Sequence, residues 1–560
     1  LHQGEIAAKF LEPQKKVALP WKRRPLKGSK MQTGAVNRRA MLGLMSSGLA
    51  LGLGSTQALA GLNVLAAIQI DDPVVQAFYS ARGYDTLWTG QGDGARRRAA
   101  LQAFDTAADH GLPVPRYDAK ALRQAFGAAQ TEADLGQLEL AMTSALLAFA
   151  RDMSSGALTP VNVDDGIKRK ILRPDPAAIL SQAAGPDFAA WLKGLVPSNP
   201  AYTRLMAEKI ALETRIAHGG YGPLLTATEI KPEASSADII ALRDRLIALG
   251  YLERSFTQTF DAALQAAVQR FQLNNGITPD GVVGKGTLAA LNVSAEDHLK
   301  SVIVALERVR WMGNADLGAR HIWVNQPDFS VKVFDAGGVS FESRVVIGKI
   351  GRDTQSPEFS DLMEFMVINP TWSVPRSIVV KEYLPQFQKD PMAEAQLQLL
   401  DPDGNVIDRT SVDFAAFTAE NFPYALRQPP EEGNALGKVK FMFPNPYNIY
   451  LHDTPTKSLF AKEVRAFSHG CIRVGSPFDF AYFLLARQSN DPKALFASYL
   501  DTGVESTLNL DQPVPVHLVY FTAWPDDSGR MGYRRDIYGR DTKLFAALAE
   551  AGVALAGVQS

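Results

Sequence analysis

Apolar residues recur at helical spacing from Ala60 to about Glu229. ALRQAF, QLELAMTSALLAFARDM and AYTRLMAEKIALETRIA each present one apolar face, and turn-rich pieces such as TGQGDGA and VPSNP separate them. The pattern predicts a helical scaffold over residues 61–236. A tighter helical unit follows over 237–293. There Leu242, Leu246 and Leu249 share one face, and Leu264, Ala267, Val268 and Phe271 fall on the face of a second helix. A Gly/Asp turn then leads into a short third helix, with Thr287 as its expected cap. Residues 294–319 read as a helical connector.

From Arg320 the period changes. HIWVNQPDFSVKVFDAGGVSFESRVVIGK reads as strands joined by Asp- and Gly-containing turns, and MEFMVINPTWSVP as a strand that stops at Pro375. VKFMFPNPYNIYLHDTP and VPVHLVYFTAWPDDSGRMGYRRDIYG supply further strands, with one helix, SPFDFAYFLLARQ, between them. Arg376 to Val439 interrupts the strands with mixed helical and irregular text. An insert of that length in a compact β unit is expected to act as a lid. The expected fold class is multidomain α+β, with a helical scaffold, a three-helix domain and a β-rich domain over 320–547. The lid insert spans 376–439, and a tail covers 548–560.

Composition changes this picture little. A formal net charge of −1 leaves no electrostatic footprint for nucleic acid. The N-terminus adds more. Residues 1–30 are basic and contain prolines. From Met31 the chain reads MQTGAVNRRAMLGLMSSGLALGLGSTQALA: twin arginines at Arg38 and Arg39, a mild apolar stretch from Ala40 to Leu53, and a small-residue Ala58-Leu59-Ala60 pattern. That is the layout of an export signal of the twin-arginine type. It predicts a start at Met31, cleavage after Ala60 and a periplasmic mature protein. The alternative is a short amphipathic or buried helix. The apolar run is too short to span a bilayer.

Cys471, in SHGCIRV, is the only cysteine of the 560 residues. It has no partner for a disulfide within the chain, and in an oxidising compartment a lone thiol is a liability unless it is used. It reads as a buried filler, a surface thiol or a nucleophile. A nucleophilic thiol needs a base or a positive neighbour. His469 is two residues away and would have to bend sharply to reach it. His452, in YLHDTP, ends an apolar strand pattern and is the better-placed base. The Gly470-Cys471 step suits a turn whose backbone N–H groups converge on an oxyanion. These residues point to an exported cysteine acyl-transfer enzyme.

Two resemblances extend that reading. Gly276, Ile277, Asp280, Gly281, Gly284, Thr287, Ala290, Leu291 and Asn292 match the signature of the peptidoglycan-binding three-helix domain. HDTP followed by SHGCIRV resembles the catalytic signature of YkuD-type L,D-transpeptidases. RVVIGK, NPTWSVP, NALGKVKFMFPN, YFTAW and DIYGRD resemble the YcbB-like subgroup in its order, from about Leu62 to Asp541. RQPPEEGNALG departs from that subgroup, which has a Pro-Gly pair and a shorter segment there. TQSPEFSD is also altered.

The resemblance implies Cys471 as nucleophile and His452 as general base, its ring oriented by the Asp453 carbonyl. The amides of Gly470 and Cys471, with His469, would form the oxyanion hole. Arg473 would hold the loop or contact a substrate carboxylate, and Trp372, Tyr447 and Ser468 would line the substrate cleft. Structural roles stand beside these for His469, for Arg473 as an ion-pair residue and for Trp372 as core packing. The implied reaction attacks the diaminopimelate–D-Ala bond of a tetrapeptide stem, releases D-Ala and forms a 3→3 cross-link. No metal and no cofactor is implied. The implied partners are peptidoglycan stem peptides and glycan, carbapenem β-lactams, and other cell-wall synthesis enzymes. The alternatives are a non-catalytic peptidoglycan anchor, an L,D-carboxypeptidase that hydrolyses the thioester, and a metal-type wall peptidase. The last lacks any H-E-x-x-H, and the remaining histidines, His2, His110, His218, His298, His321 and His517, are scattered without ligand spacing.

Overall fold

The computed structural model describes residues 69–313, 317–526 and 528–555. The expected export signal and its cleavage point lie outside the described residues. Among the described residues no helix is long and apolar enough to cross a membrane.

The scaffold is helical, and its helices begin where side chains can take up free N–H groups. Asp72 caps the helix Pro73–Ala81, and Thr131 with Asp134 forms a capping box on Glu132–Ser155. The expected connector is the helix Ala295–Met312, capped by Ser294. It is buried on almost every side and packs along the helix Pro200–Ala217. Burying a helix all round puts its charged residues in the core, where they must be paired. Arg310 donates to Glu307 at 2.9 Å, to the His110 carbonyl at 2.8 Å and to the Tyr202 hydroxyl at 3.0 Å.

The three-helix unit comprises Ser236–Ala248, Ala262–Asn274 and Lys285–Leu291 around Leu242, Leu246, Leu264, Phe271 and Leu291. Thr287 is not the cap of the last helix. Gly284 holds that position, and Thr287 lies buried one turn in. Its hydroxyl donates to the Val282 carbonyl at 3.2 Å and accepts from Gln272 at 3.1 Å. It ties the Gly/Asp turn to the preceding helix.

The β-rich domain opens with β1 (Arg320–Asn325), β2 (Ser330–Asp335), β3 (Gly338–Gly348) and β4 (Phe359–Ile368). The insert supplies β5 (Trp372–Ser373), β6 (Gln398–Leu400), β7 (Val406–Ile407) and β8 (Ala425–Gln428). Then come β9 (Val439–Met442), β10 (Leu451–His452), β11 (Ala466–Ser468), β12 (Ile472–Val474), β13 (Ser506–Val519), β14 (Ala523–Pro525) and β15 (Met531–Tyr533). One sheet runs in the order β11-β3-β12-β10-β9-β4-β13-β1-β2, and β2 also pairs with β3. That last pairing closes the eight strands from β3 round to β2 into a barrel, with β11 attached alongside β3. Alternation along each strand sends Val324, Val345, Met366, Phe441, Leu451, Ile472 and Leu518 inward.

The insert folds as a unit of its own. β5, β8, β6 and β7 form a four-stranded sheet over a core that includes Ile378, Phe387, Leu399, Phe414 and Phe422. It therefore starts at Trp372, four residues before the expected Arg376, because Trp372 pairs with Gln428 inside it. At the far end the helix Arg540–Glu550 crosses the expected 547/548 boundary. Leu544, Leu548 and Val553 pack with the Ala295–Met312 helix, so part of the expected tail belongs to the scaffold core.

Scaffold and barrel are joined by buried charge. Glu358, just before β4, pairs with Arg308 of the scaffold helix at 3.3 Å and with Arg540 at 3.3 Å. Arg308 also pairs with Asp541. The backbone of Glu358 exchanges hydrogen bonds with Gly166 and Lys168 of the scaffold. Removing one member leaves uncompensated buried charge, which costs about 3–5 kcal/mol. Glu358→Ala is expected to lower unfolding stability by about that amount, read as a shift of the urea midpoint. A midpoint within error of wild type would show that the network does not hold the two parts together.

Candidate active site

β10 and β12 run parallel, with Leu451 opposite Ile472 and His452 opposite Arg473. One step back, the Ile472 N–H donates to the Tyr450 carbonyl at 3.0 Å, which sets Tyr450 beside Cys471. Leu451 and Ile472 fill the barrel. By alternation Tyr450, His452, Cys471 and Arg473 share the opposite face. All four line a cleft of about 810 Å³ between barrel and insert, together with Trp372 and Tyr447.

The His452 ring is buried, and its Nδ1–H donates to the Asp453 carbonyl. Asp453 is itself fixed. Its carboxylate accepts from the Lys438 N–H at 2.9 Å, the Thr454 N–H at 2.6 Å and Lys457 at 2.5 Å. Gly437, at φ +62°, makes room for this carboxylate: a Cβ there would lie 2.2 Å from it.

Burial, together with the Arg473 cation, pushes the His452 pKa down to about 3, against the hydrogen bonds to the Asp453 and Leu436 carbonyls. The imidazole is neutral. Burial pushes the Cys471 thiol up to about 11, while the Tyr450 N–H, the Tyr450 hydroxyl and Arg473 pull it down. The thiol is neutral too, and donates to the Asn448 carbonyl at 3.5 Å. Asn448 holds a left-handed conformation at φ +55°, which asparagine tolerates and which aims this carbonyl at the thiol.

The loop before Cys471 is tightly tied. Ser468 Oγ donates to the Cys471 carbonyl at 2.5 Å and accepts from the Gly470 N–H at 3.2 Å. Ser356 Oγ donates to the Gly470 carbonyl at 2.6 Å. Two expectations change as a result. Ser468 is buried and its hydroxyl closes the turn, so it positions the loop instead of contacting substrate. The Gly470 N–H is taken by Ser468 and is not directed at an oxyanion. What Gly470 supplies is its φ of +119°, which lets the chain turn beneath Ile449.

His469 faces the insert, with Nε2 2.5 Å from the Glu382 carboxylate and 3.2 Å from Lys349. It is a latch between loop and lid. Lys381 pairs with Asp353 at 2.9 Å beside it. Trp372 is half-buried, edge-on to Tyr383 of the insert. Tyr447 packs edge-on against Phe359. Both therefore pack and line the cleft at once. Sequence reasoning passed over Tyr450, although its position two residues before His452 on a strand places it on the same face. It also passed over Lys440, Asn448, Glu382 and Ser356, for which the sequence carried no signal.

Residues 319–503 match the family model described as "L,D-transpeptidase catalytic domain". The chain carries an L,D-transpeptidase catalytic domain. The match spans the lid, the thiol and the histidine, and stops before β13, which completes the barrel of this transpeptidase domain. Residues 235–291 match a model described as "Putative peptidoglycan binding domain", and 73–208 one described as "Scaffold domain". A Haemophilus influenzae protein named "Putative L,D-transpeptidase" is 33% identical over 228 residues, covering 40% of this chain and 45% of its own length. The chain thus spans less than half of that curated relative. A crystal structure of the L,D-transpeptidase from Xylanimonas cellulosilytica aligns at 15% identity, covering 53% of this chain and 98% of that one. The TM-score of that alignment is 0.16.

The thiolate is the reactive form, so alkylation of Cys471 by iodoacetamide is expected to rise about tenfold per pH unit from pH 8 to 10. Tyr450→Phe removes a hydrogen bond that favours the thiolate and is expected to slow alkylation at pH 8 by about threefold to tenfold. A plateau below pH 8, or a Phe variant that reacts faster, would contradict this balance.

Proposed function

We propose that this protein is a peptidoglycan L,D-transpeptidase acting in the periplasm. The observation that carries the reading is the chain's only thiol, Cys471, lining a lidded cleft on the same strand-pair face as a neutral, buried imidazole. The thiol gives its proton to His452, and sulfur bonds to the diaminopimelate carbonyl of a tetrapeptide stem. The resulting oxyanion collapses, the bond to D-Ala breaks, and the imidazolium returns the proton to the leaving amine. A diaminopimelate side-chain amine of a second stem then attacks the thioester, forming a 3→3 amide bond and restoring the thiol. The Asp453 carbonyl accepts from Nδ1–H, which makes Nε2 the nitrogen that takes the proton. Tyr450 and Arg473 favour the developing thiolate. The Cys471 N–H is the candidate oxyanion donor. Trp372 and Tyr447 contact the stem, residues 235–291 hold glycan or peptide of the same wall, and carbapenems acylate the same sulfur.

Incubating the chain with a carbapenem should give a stoichiometric mass adduct on wild type and none on Cys471→Ala. Tetrapeptide stems should yield D-Ala and a cross-linked dimer with wild type only. His452→Ala should cut the rate of both reactions at neutral pH by about 10²-fold or more. D-Ala release that survives Cys471→Ala would overturn the reading, and release without dimer would make the protein an L,D-carboxypeptidase.

A further inference from the structure

β9, β10 and β12 lie side by side, and their register aligns three cleft residues in one row. His452 is opposite Lys440 on one side and Arg473 on the other. All three line the cleft that holds Cys471. The imidazole is therefore flanked by two cations.

Both cations are partly buried, and desolvation pulls the pKa of each down. Among the described residues neither forms an ion pair, and an acid, Glu505, acts on Lys440 but none on Arg473. The group that acts on Arg473 is the Cys471 thiol, and Arg473 Nε is buried with no hydrogen-bond partner. Lys440 feels Glu505, whose carboxylate accepts the Thr371 N–H. The other acids lining the cleft are engaged: Asp353 with Lys381 at 2.9 Å and Glu382 with His469 at 2.5 Å. Buried charge is ordinarily paired, so the partner of this row has to arrive with a ligand.

The reacting sulfur accounts for only part of it. A Cys471 thiolate would neutralise Arg473, but Lys440 is not among the groups that act on that thiol. A second anion is needed. A carboxylate accepts from a guanidinium and from an ammonium alike, and this row presents one on each side of His452.

We propose that Lys440 and Arg473 form a two-cation seat for a carboxylate of the donor peptide, with Lys440 as the residue that selects it. The identity of the peptide rests on the transpeptidase reading. A tetrapeptide stem offers two such groups near the scissile bond, the terminal D-Ala carboxylate and the side-chain carboxylate of diaminopimelate.

The test is calorimetric titration of the full chain carrying Cys471→Ala with the free tetrapeptide and with the two monoamides that block one or other of these carboxylates. One monoamide is expected to bind about tenfold or more weakly than the acid, and which one identifies the seated group. Adding Lys440→Gln should weaken the acid by a similar factor and erase its preference over the amide, while Lys440→Arg should restore most of both. Equal binding of the acid and both amides would overturn the seat, as would no binding of the acid. So would a Lys440→Gln chain with wild-type melting temperature that keeps the preference. The amide series needs no change at position 440, so it decides even if that variant does not fold. Lys440-dependent binding without any thioester on unsubstituted Cys471 would refute the transpeptidase reading and leave the seat intact.

Discussion

The structure turns on the carboxylate of Glu358. It sits between Arg308 of the scaffold helix and Arg540 at the start of the last helix, at 3.3 Å from each. The same contacts run on to the chemistry. Arg540 donates to the Ser356 carbonyl at 2.9 Å, and the Ser356 hydroxyl holds the Gly470 carbonyl next to the thiol. Buried ion pairs of this kind add little net stability but tolerate no missing member. Their use here is geometric. The loop that carries Cys471 is held from beneath by residues that belong to three separate stretches of the chain.

That rigidity matters because the site works against its own burial. Burial raises the thiol and lowers the imidazole, so both stay neutral. The same burial makes Tyr450 and Arg473 worth more as stabilisers of a thiolate than they would be in water. The lid connects the two conditions. It is a separate small core, latched at its rim by Glu382–His469 and Lys381–Asp353. These rim pairs are partly or largely solvent-exposed, where ion pairs are weak.

Much of this was legible in the sequence because it depends on local periodicity. The change from helical to alternating patterns at Arg320, the turn glycines before Thr287 and the lone cysteine after a strand ending in His452 are all short-range signals. The match of residues 235–291 and 319–503 to family models agrees with that division. What stayed hidden depends on closure. The β2–β3 pairing, the Trp372–Gln428 pairing that starts the lid early and the Arg308–Glu358–Arg540 junction join residues far apart in sequence, where no spacing rule applies. Thr287 misled because a threonine at a helix start usually caps. Here Gln272 competed for its hydroxyl, and Gly284 took the cap.

The site residues divide along the same line. His452 and Cys471 could be chosen from their chemistry alone. Ser468 and Gly470 could be placed at the site but not given roles, because whether an N–H points at substrate or at a neighbouring hydroxyl depends on the φ of +119° at Gly470. Lys440 was invisible for a third reason. In VKFMF it reads as an ordinary outward lysine on an alternating strand, solvated like most of its kind. Only the register that sets it beside His452, with the insert built from residues before it in the chain, turns it into a cleft cation without a direct ion pair. A strand's outward face is solvent only until another part of the chain covers it, and in this protein the covered face is the one that carries the thiol.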